Sequence, residues 1–171
     1  RIPPLEAAEL ERRIVAVSLA LLSLGVVAVH DPGRLIPDPD LGWSYPAYAH
    51  LAEVGRLPIR VLASLRDDAL ETALAGRLQS GAILGSNPAG RARIGWQKTF
   101  ADGSLGSRTA ALLEDIEPEP DRPLPADRRR GVWVREPAEL ADLVARAAAG
   151  GIATQIHEVS GRGIEVAPAV G

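Results

Sequence analysis

Gly95–Thr109 reads GWQKTFADGSLGSRT. Arg93–Phe100, which leads into it, predicts a strand, and period-two alternation puts Ile94, Trp96, Lys98 and Phe100 on one face. A lysine in register with two aromatics and an isoleucine is an unusual choice for a solvated position. Its amine either snorkels off the strand end or sits partly desolvated, which lowers its pKa and frees a nucleophilic lone pair. Ala101 to Arg108 is too rich in glycine and serine for a regular element. Its two glycines allow positive φ, so free N–H groups, hydroxyls and Arg108 can surround an anionic or carbonyl group. The plainer reading is a surface turn with a lysine at its base. How the other strands end decides between the two.

Outward from this stretch the order of elements is regular. A helix is expected from about Glu6 to Leu24, with early glutamates at its positive end and Gly25 as its C-terminal cap. Val26–Val29 predicts a short apolar strand that ends in His30-Asp31-Pro32-Gly33. A loop rich in proline and aspartate leads to a helix over Tyr45–Val54, closed by Gly55. Pro58–Ala63 predicts the next strand, ending at Ser64. Asp67 is the expected N-cap of a helix over Asp68–Gln79. After the strand carrying Lys98, Ile116–Pro125 concentrates proline and acid in a long excursion without secondary structure, of the kind that is functional or mobile. Glu136-Pro137 restarts a helix through Ala149, capped by Gly150-Gly151. Ile152–Ile156 is the fourth strand, with His157 at its end.

Helices alternating with buried strands imply an α/β fold with a parallel sheet and helices outside it. An open doubly wound sheet and an arc of a β/α barrel both satisfy that grammar. No Gly-x-Gly-x-x-Gly follows the first strand and no phosphate-binding Gly-Lys-Ser/Thr loop occurs, which demotes nucleotide-binding versions of the open sheet.

The 171 residues suffice for one ordinary domain, and 46 % hydrophobic with 24 % charged residues is the balance of a soluble globular protein. The formal net charge of −3 argues against a nucleic-acid partner. The basic run Arg128–Arg130 sits among prolines and acids and reads as a solvated loop. With no cysteine, a metal must use histidine, carboxylate or modified lysine. Arg12-Arg13 before the apolar run Ile14–Val29 imitates a secretory leader. Glu6, Glu9 and Glu11 oppose that reading, the run is short for a bilayer span, and Gly25 divides it into a helix end and a strand. No membrane partner is expected, and a cytoplasmic location is.

Each strand hands over to its loop with a polar group: His30 and Asp31, Ser64, Lys98 and Asp102, then His157. In parallel β/α folds the carboxyl ends of strands build the site, so these groups are candidates for one rim. Each also has a plain account: His30 as a turn cap, Ser64 as an ordinary loop start, His157 as a satisfied histidine at a junction.

Lys98-Thr-Phe-Ala-Asp-Gly-Ser-Leu-Gly-Ser-Arg-Thr109, with Leu24-Gly-Val-Val-Ala-Val-His-Asp-Pro-Gly33 upstream and the strand ending in His157, resembles amidohydrolase family 3. These are metal-dependent hydrolases of the amidohydrolase superfamily, similar to YtcJ-like proteins and N-substituted formamide deformylases. The resemblance covers about Leu5 to His157. It implies a partial β/α barrel of about four strands with one or two divalent ions, typically zinc, at the strand ends. Lys98 matches the lysine that many superfamily members carboxylate to bridge two metals, and His157 matches a histidine ligand. Asp102, Gly103, Ser104 and Arg108 would line the substrate side, with His30 and Asp31 as possible rim. Elementary chemistry agrees, since carboxylation needs a neutral amine and imidazole is a good zinc donor. The implied reaction is hydrolysis of a non-peptide C–N bond of a small amide by metal-activated water.

The departures are equally specific. The superfamily's His-x-His pair is missing, because the only histidines are His30, His50 and His157. After His157 the sequence runs Glu158-Val-Ser-Gly-Arg-Gly163 where the family continues Ala-Ile-Gly-Asp. The simplest account makes residues 1–171 a single segment of a larger barrel, about its second to fifth strands, with a divergent tail over 158–171 from a truncated or frameshifted reading frame. Such a segment is expected to be incomplete as a catalyst. The alternatives are a non-catalytic α/β half-barrel that self-associates, as a homodimer, through its unpaired strand edges, and an open-sheet protein binding an anion at Gly103–Arg108.

Overall fold

The computed structural model describes residues 5–32 and 44–159. Pro3-Pro4, the proline- and aspartate-rich loop 33–43 and residues 160–171 of the tail lie outside that range. The elements are α1 (Ala7–Ser23), β1 (Ala28–Asp31), α2 (Ser44–Glu53), β2 (Arg60–Arg66), α3 (Leu70–Ala75), β3 (Ala92–Phe100), α4 (Pro137–Ala149) and β4 (Thr154–His157). A 3₁₀ turn over Asp67–Ala69 precedes α3, and another, Ala126–Arg128, interrupts the excursion. No helix among the described residues is long and apolar enough to cross a membrane.

The four strands form one sheet in the order β1-β2-β3-β4. β1 pairs with β2, and β2 with β3, in parallel. β4 continues the pattern: Gln97 N–H donates to the Ala153 carbonyl and Ala101 N–H to that of His157, so both strands advance together. Sequence neighbours are spatial neighbours throughout, with helices in the connections. That is the winding of a β/α barrel arc, whereas a doubly wound sheet reverses its order at a switch point. The open-sheet anion site needed such a reversal beside Gly103–Arg108, and the strand order removes it.

All four helices end in the same way, and the ending fixes where each strand can start. Gly25 N–H bonds the Leu22 carbonyl and Val26 N–H that of Leu21. The same pair of bonds closes α2 at Gly55 and Arg56, and α4 at Gly151 and Ile152. Gly25, Gly55 and Gly151 have φ of +82°, +70° and +77°, the left-handed value this motif needs. In α3 the left-handed residue is Arg77, at φ +52°. Its N–H reaches Leu74 and the next one Ala73. This stops α3 at Ala75, four residues before the expected Gln79; Gly76 follows at once, but the left-handed position falls on the next residue, an arginine.

The chain divides into two compact units, Arg1–Lys98 with Ala147–Thr154, and Thr99–Arg146 with Gln155–Gly171. In the first, Val61, Ala63 and Leu65 of β2 are buried with Leu51 of α2 and Leu70 and Ala73 of α3. Full burial of a leucine such as Leu51, Leu65 or Leu70 contributes roughly 1.5–3 kcal/mol. The pairing of β2 with β3 slips at Ser64: Ala63 faces Ile94, but Leu65 faces Gln97. A Cβ on Gly95 would lie 2.9 Å from both the Ser64 N and Oγ, so the two backbones meet there only because residue 95 is glycine. The extra residue on β3 reverses its alternation. Ile94 is buried at 2 % exposure, whereas Trp96 is 40 % exposed, and Gln97 and Thr99 become the fully buried positions. The expected single face of Ile94, Trp96, Lys98 and Phe100 is therefore broken after Ile94.

In the second unit Ala101, Ala110, Ala111, Leu140, Leu143 and Val144 are buried. Irregular chain supplies half of these, and its backbone is held by side chains.

Candidate functional site

In the first unit, β1 and β2 run further than their apolar cores suggest, so His30 and Asp31 lie within β1 and Ser64 within β2. Alternation sends His30 and Asp31 to opposite faces of the sheet. The His30 ring lies 4.8 Å from that of Trp96. Asp31 instead accepts a 2.6 Å hydrogen bond from the Tyr48 hydroxyl of α2. Burial, and then the Asp31 carboxylate, push the Tyr48 hydroxyl far above its ordinary value, so it stays a donor. Asp31 is thus turned toward a helix rather than shared with His30 as a rim pair. Ser64 is 1 % exposed and its Oγ has no hydrogen-bond partner, which makes it a close-packing residue rather than a loop start.

Lys98 is partly buried on β3, with Arg66 as its register partner on β2. Desolvation, and then the neighbouring Arg66 charge, lower the Lys98 pKa. It is also the chain's only lysine, beside eighteen arginines. Arginine stays charged in proteins, so among the 19 basic residues only this one can offer a neutral amine.

In the second unit the glycine loop closes on itself. Gly103 N–H bonds the Thr109 carbonyl at 3.3 Å and Ser104 N–H the Thr109 hydroxyl at 3.1 Å. The Ser107 hydroxyl lies 2.9 Å from that of Ser104 and 2.5 Å from that of Thr109. A Cβ on Gly103 would fall 1.9 Å from Thr109 Oγ1, so glycine is required for the closure. Asp102, fully buried, accepts from Ala111 N–H at 3.0 Å with one oxygen and from Val159 N–H at 3.1 Å with the other. Both oxygens are engaged by backbone N–H groups, so Asp102 anchors the loop. Arg108, at φ +57°, donates to the carbonyls of Arg122 and Glu117 and so ties the loop to the excursion. His157 packs its ring 5.1 Å from that of Phe100, and its Nε2 lies 3.2 Å from the Gly103 carbonyl. A carbonyl only accepts, so Nε2 carries a proton and Nδ1 is the nitrogen left to serve as a donor atom to a metal.

No family model matches the chain, and no curated protein does. Solved structures do. This chain is similar to metal-dependent hydrolases. One is described as the crystal structure of an uncharacterized metal-dependent hydrolase from Pyrococcus horikoshii OT3, at 26 % identity and a TM-score of 0.73, over 95 % of this chain and 30 % of that one. A second, with the same description, is from Pyrococcus furiosus, at 28 % identity and a TM-score of 0.72, over 95 % of this chain and 31 % of that one. The chain thus spans less than a third of the length of either solved hydrolase it matches.

The residues in hand fit a divalent ion in kind but not in number. Histidines that bind metal commonly donate their second ring N–H to a backbone carbonyl, as His157 does, and a depressed lysine favours the neutral amine that carboxylation needs. A catalytic zinc takes three protein ligands. Among the described residues no group of three histidines, cysteines or acids is placed to hold a metal. His50 is engaged elsewhere, with Glu11 at 2.8 Å. The described residues therefore do not complete a metal centre. Sequence reasoning missed Tyr48, the partner of Asp31, and Arg66, the neighbour of Lys98. Both depend on pairing across elements, although the isolation of Lys98 among arginines was legible.

Proposed function

We propose that this chain is part of a metal-dependent hydrolase that cleaves a non-peptide amide C–N bond with a divalent ion, zinc by the family resemblance, and that Lys98 and His157 are each metal donors. Support for the hydrolase comes from the likeness to the two Pyrococcus structures together with the glycine-loop motif. The observation that carries the assignment of Lys98 is its uniqueness: one lysine, half-buried, depressed in pKa and set on a strand in a chain that otherwise uses arginine. A neutral amine of this kind can add carbon dioxide, forming an N–C bond and releasing one amine proton to solvent, to give a carbamate, an anionic oxygen donor. Gly103 shapes the loop and orients His157 through its carbonyl. Ser104 holds the loop's hydroxyl cluster and has its own oxygen on the surface side.

The test uses the absence of other lysines. With ¹³C-bicarbonate, the full chain is expected to show a carbamate resonance that is lost in Lys98→Arg. A folded chain that shows none between neutral and mildly alkaline pH overturns the Lys98 assignment. Amide turnover by the 171-residue chain alone is expected to be absent or slight, because two donors fall short of three. Robust zinc-dependent release of amine would overturn the incompleteness argument.

A second reading, a non-catalytic module that pairs with a second copy, is favoured by the strand order. Among the described residues β1 and β4 each have one neighbour in the sheet and one edge with no strand beside it. A tight dimer in sedimentation without added metal supports it, and a strict monomer removes it.

A further inference from the structure

The Ile116–Pro125 excursion encloses a pocket of about 500 Å³ in the second unit, a size that suits a small organic ligand. Ile116, Pro118, Pro120, Pro123 and Leu124 give it an apolar wall, and Arg108 and Arg129 line it with charge. Arg108 is only 8 % exposed, and its Nε has no hydrogen-bond partner. The acid nearest that nitrogen is Glu119, whose Oε1 stands 3.7 Å away while its Oε2 stands 3.8 Å from Arg122. Arginine–carboxylate hydrogen bonds close to about 2.7–2.9 Å, so the half-exposed Glu119 is attracted by two guanidiniums and bonded to neither. Asp115, the other acid in the lining, is engaged by Arg130 at 2.9 Å. Arg129 has no ion pair among the described residues.

A buried guanidinium with an unused N–H, a second cation and a wall of proline rings together describe a receptor for an anion with an apolar body. We propose that this pocket binds a compact organic carboxylate, whose anionic group displaces Glu119 from Arg108 and pairs with Arg129 while its apolar part lies on the proline wall. The planar guanidinium is matched to a carboxylate, and proline rings offer a rigid surface to an aromatic or branched group at little entropic cost. The inference does not depend on the hydrolase reading, since neither Lys98 nor His157, the proposed metal donors, takes part in it.

Phenylacetate and its neutral isostere phenylacetamide, titrated into the full chain by calorimetry, separate charge from shape. Phenylacetate is expected to bind saturably at one site, with the amide weaker by about tenfold or more. Glu119→Gln removes the competing carboxylate and should tighten phenylacetate severalfold. Arg129→Gln, at an exposed position that does not threaten the fold, should weaken it by about tenfold. Equal binding of acid and amide, failure to saturate, or weaker binding by Glu119→Gln would each overturn the proposal.

Discussion

The two units hold their backbones by different means. In the first, repetition does the work: apolar strands pair in parallel, with one slip at Ser64, and each helix is closed by the same left-handed motif before the next strand begins. In the second, much of the chain is irregular, and single side chains take the place of regular pairing. Asp102 accepts two backbone N–H groups, Arg108 donates to two carbonyls, and three hydroxyls brace the glycine loop. Two buried polar groups illustrate the difference. Asp102 is matched at both oxygens, whereas Gln97, at the end of the first unit, has neither its Oε1 nor its Nε2 hydrogen-bonded. A regular element tolerates an idle polar side chain because its backbone is already paired; an irregular one depends on each anchor it has.

The sharpest way to break that contrast is Gly131→Ala. The new Cβ would fall 1.9 Å from the Ala110 carbonyl oxygen, at a φ of +72°. A loss of about 4 kcal/mol in urea unfolding is expected from strain and overpacking together. Next comes Asp102→Ala, which strands two N–H groups that now bond a carboxylate, for about 3 kcal/mol. Hydrogen exchange should accelerate at the Ala111 and Val159 amides ahead of β1 and β2; uniform acceleration would mean the loop is not held by this anchor. In the first unit the sign reverses. Gln97→Leu replaces a buried, unpaired amide with an apolar group of similar size and should stabilise by about 1–2 kcal/mol. A loss instead would show that the amide has a partner the contrast ignores. Arg77→Gly relieves a left-handed residue at the end of α3 and should gain about 0.5–1 kcal/mol, visible as a raised urea midpoint.

The smallest effect concerns pH. The Lys98 pKa is lowered on folding, so between that value and the ordinary lysine range the unfolded chain binds more protons than the folded one. Stability should therefore rise with pH across that alkaline window, and the rise should vanish in Lys98→Gln. A slope unchanged by the substitution would show that Lys98 is as well solvated folded as unfolded.

How far the site could be read in advance follows from the range of each signal. Gly25, Gly55 and Gly151 announced helix ends because a left-handed cap is a local requirement that glycine meets. Arg77 meets the same requirement without announcing it, and α3 was expected to run past it. The polar ends of the strands were legible as a list: His30, Asp31, Ser64, Lys98, Asp102 and His157. Their duties were not. Asp31 found Tyr48 and Asp102 found two backbone amides, and neither pairing has a signature at fixed spacing.

By itself the sequence determined the alternation of helices and strands, the glycine loop and the oddness of a single lysine, because period, capping and composition are carried by neighbouring residues. Tertiary structure alone decided the unreversed strand order and the faces of β3. One close approach, Gly95 against Ser64, inserts a residue and turns every later side chain over, and that approach exists only once two distant strands have met.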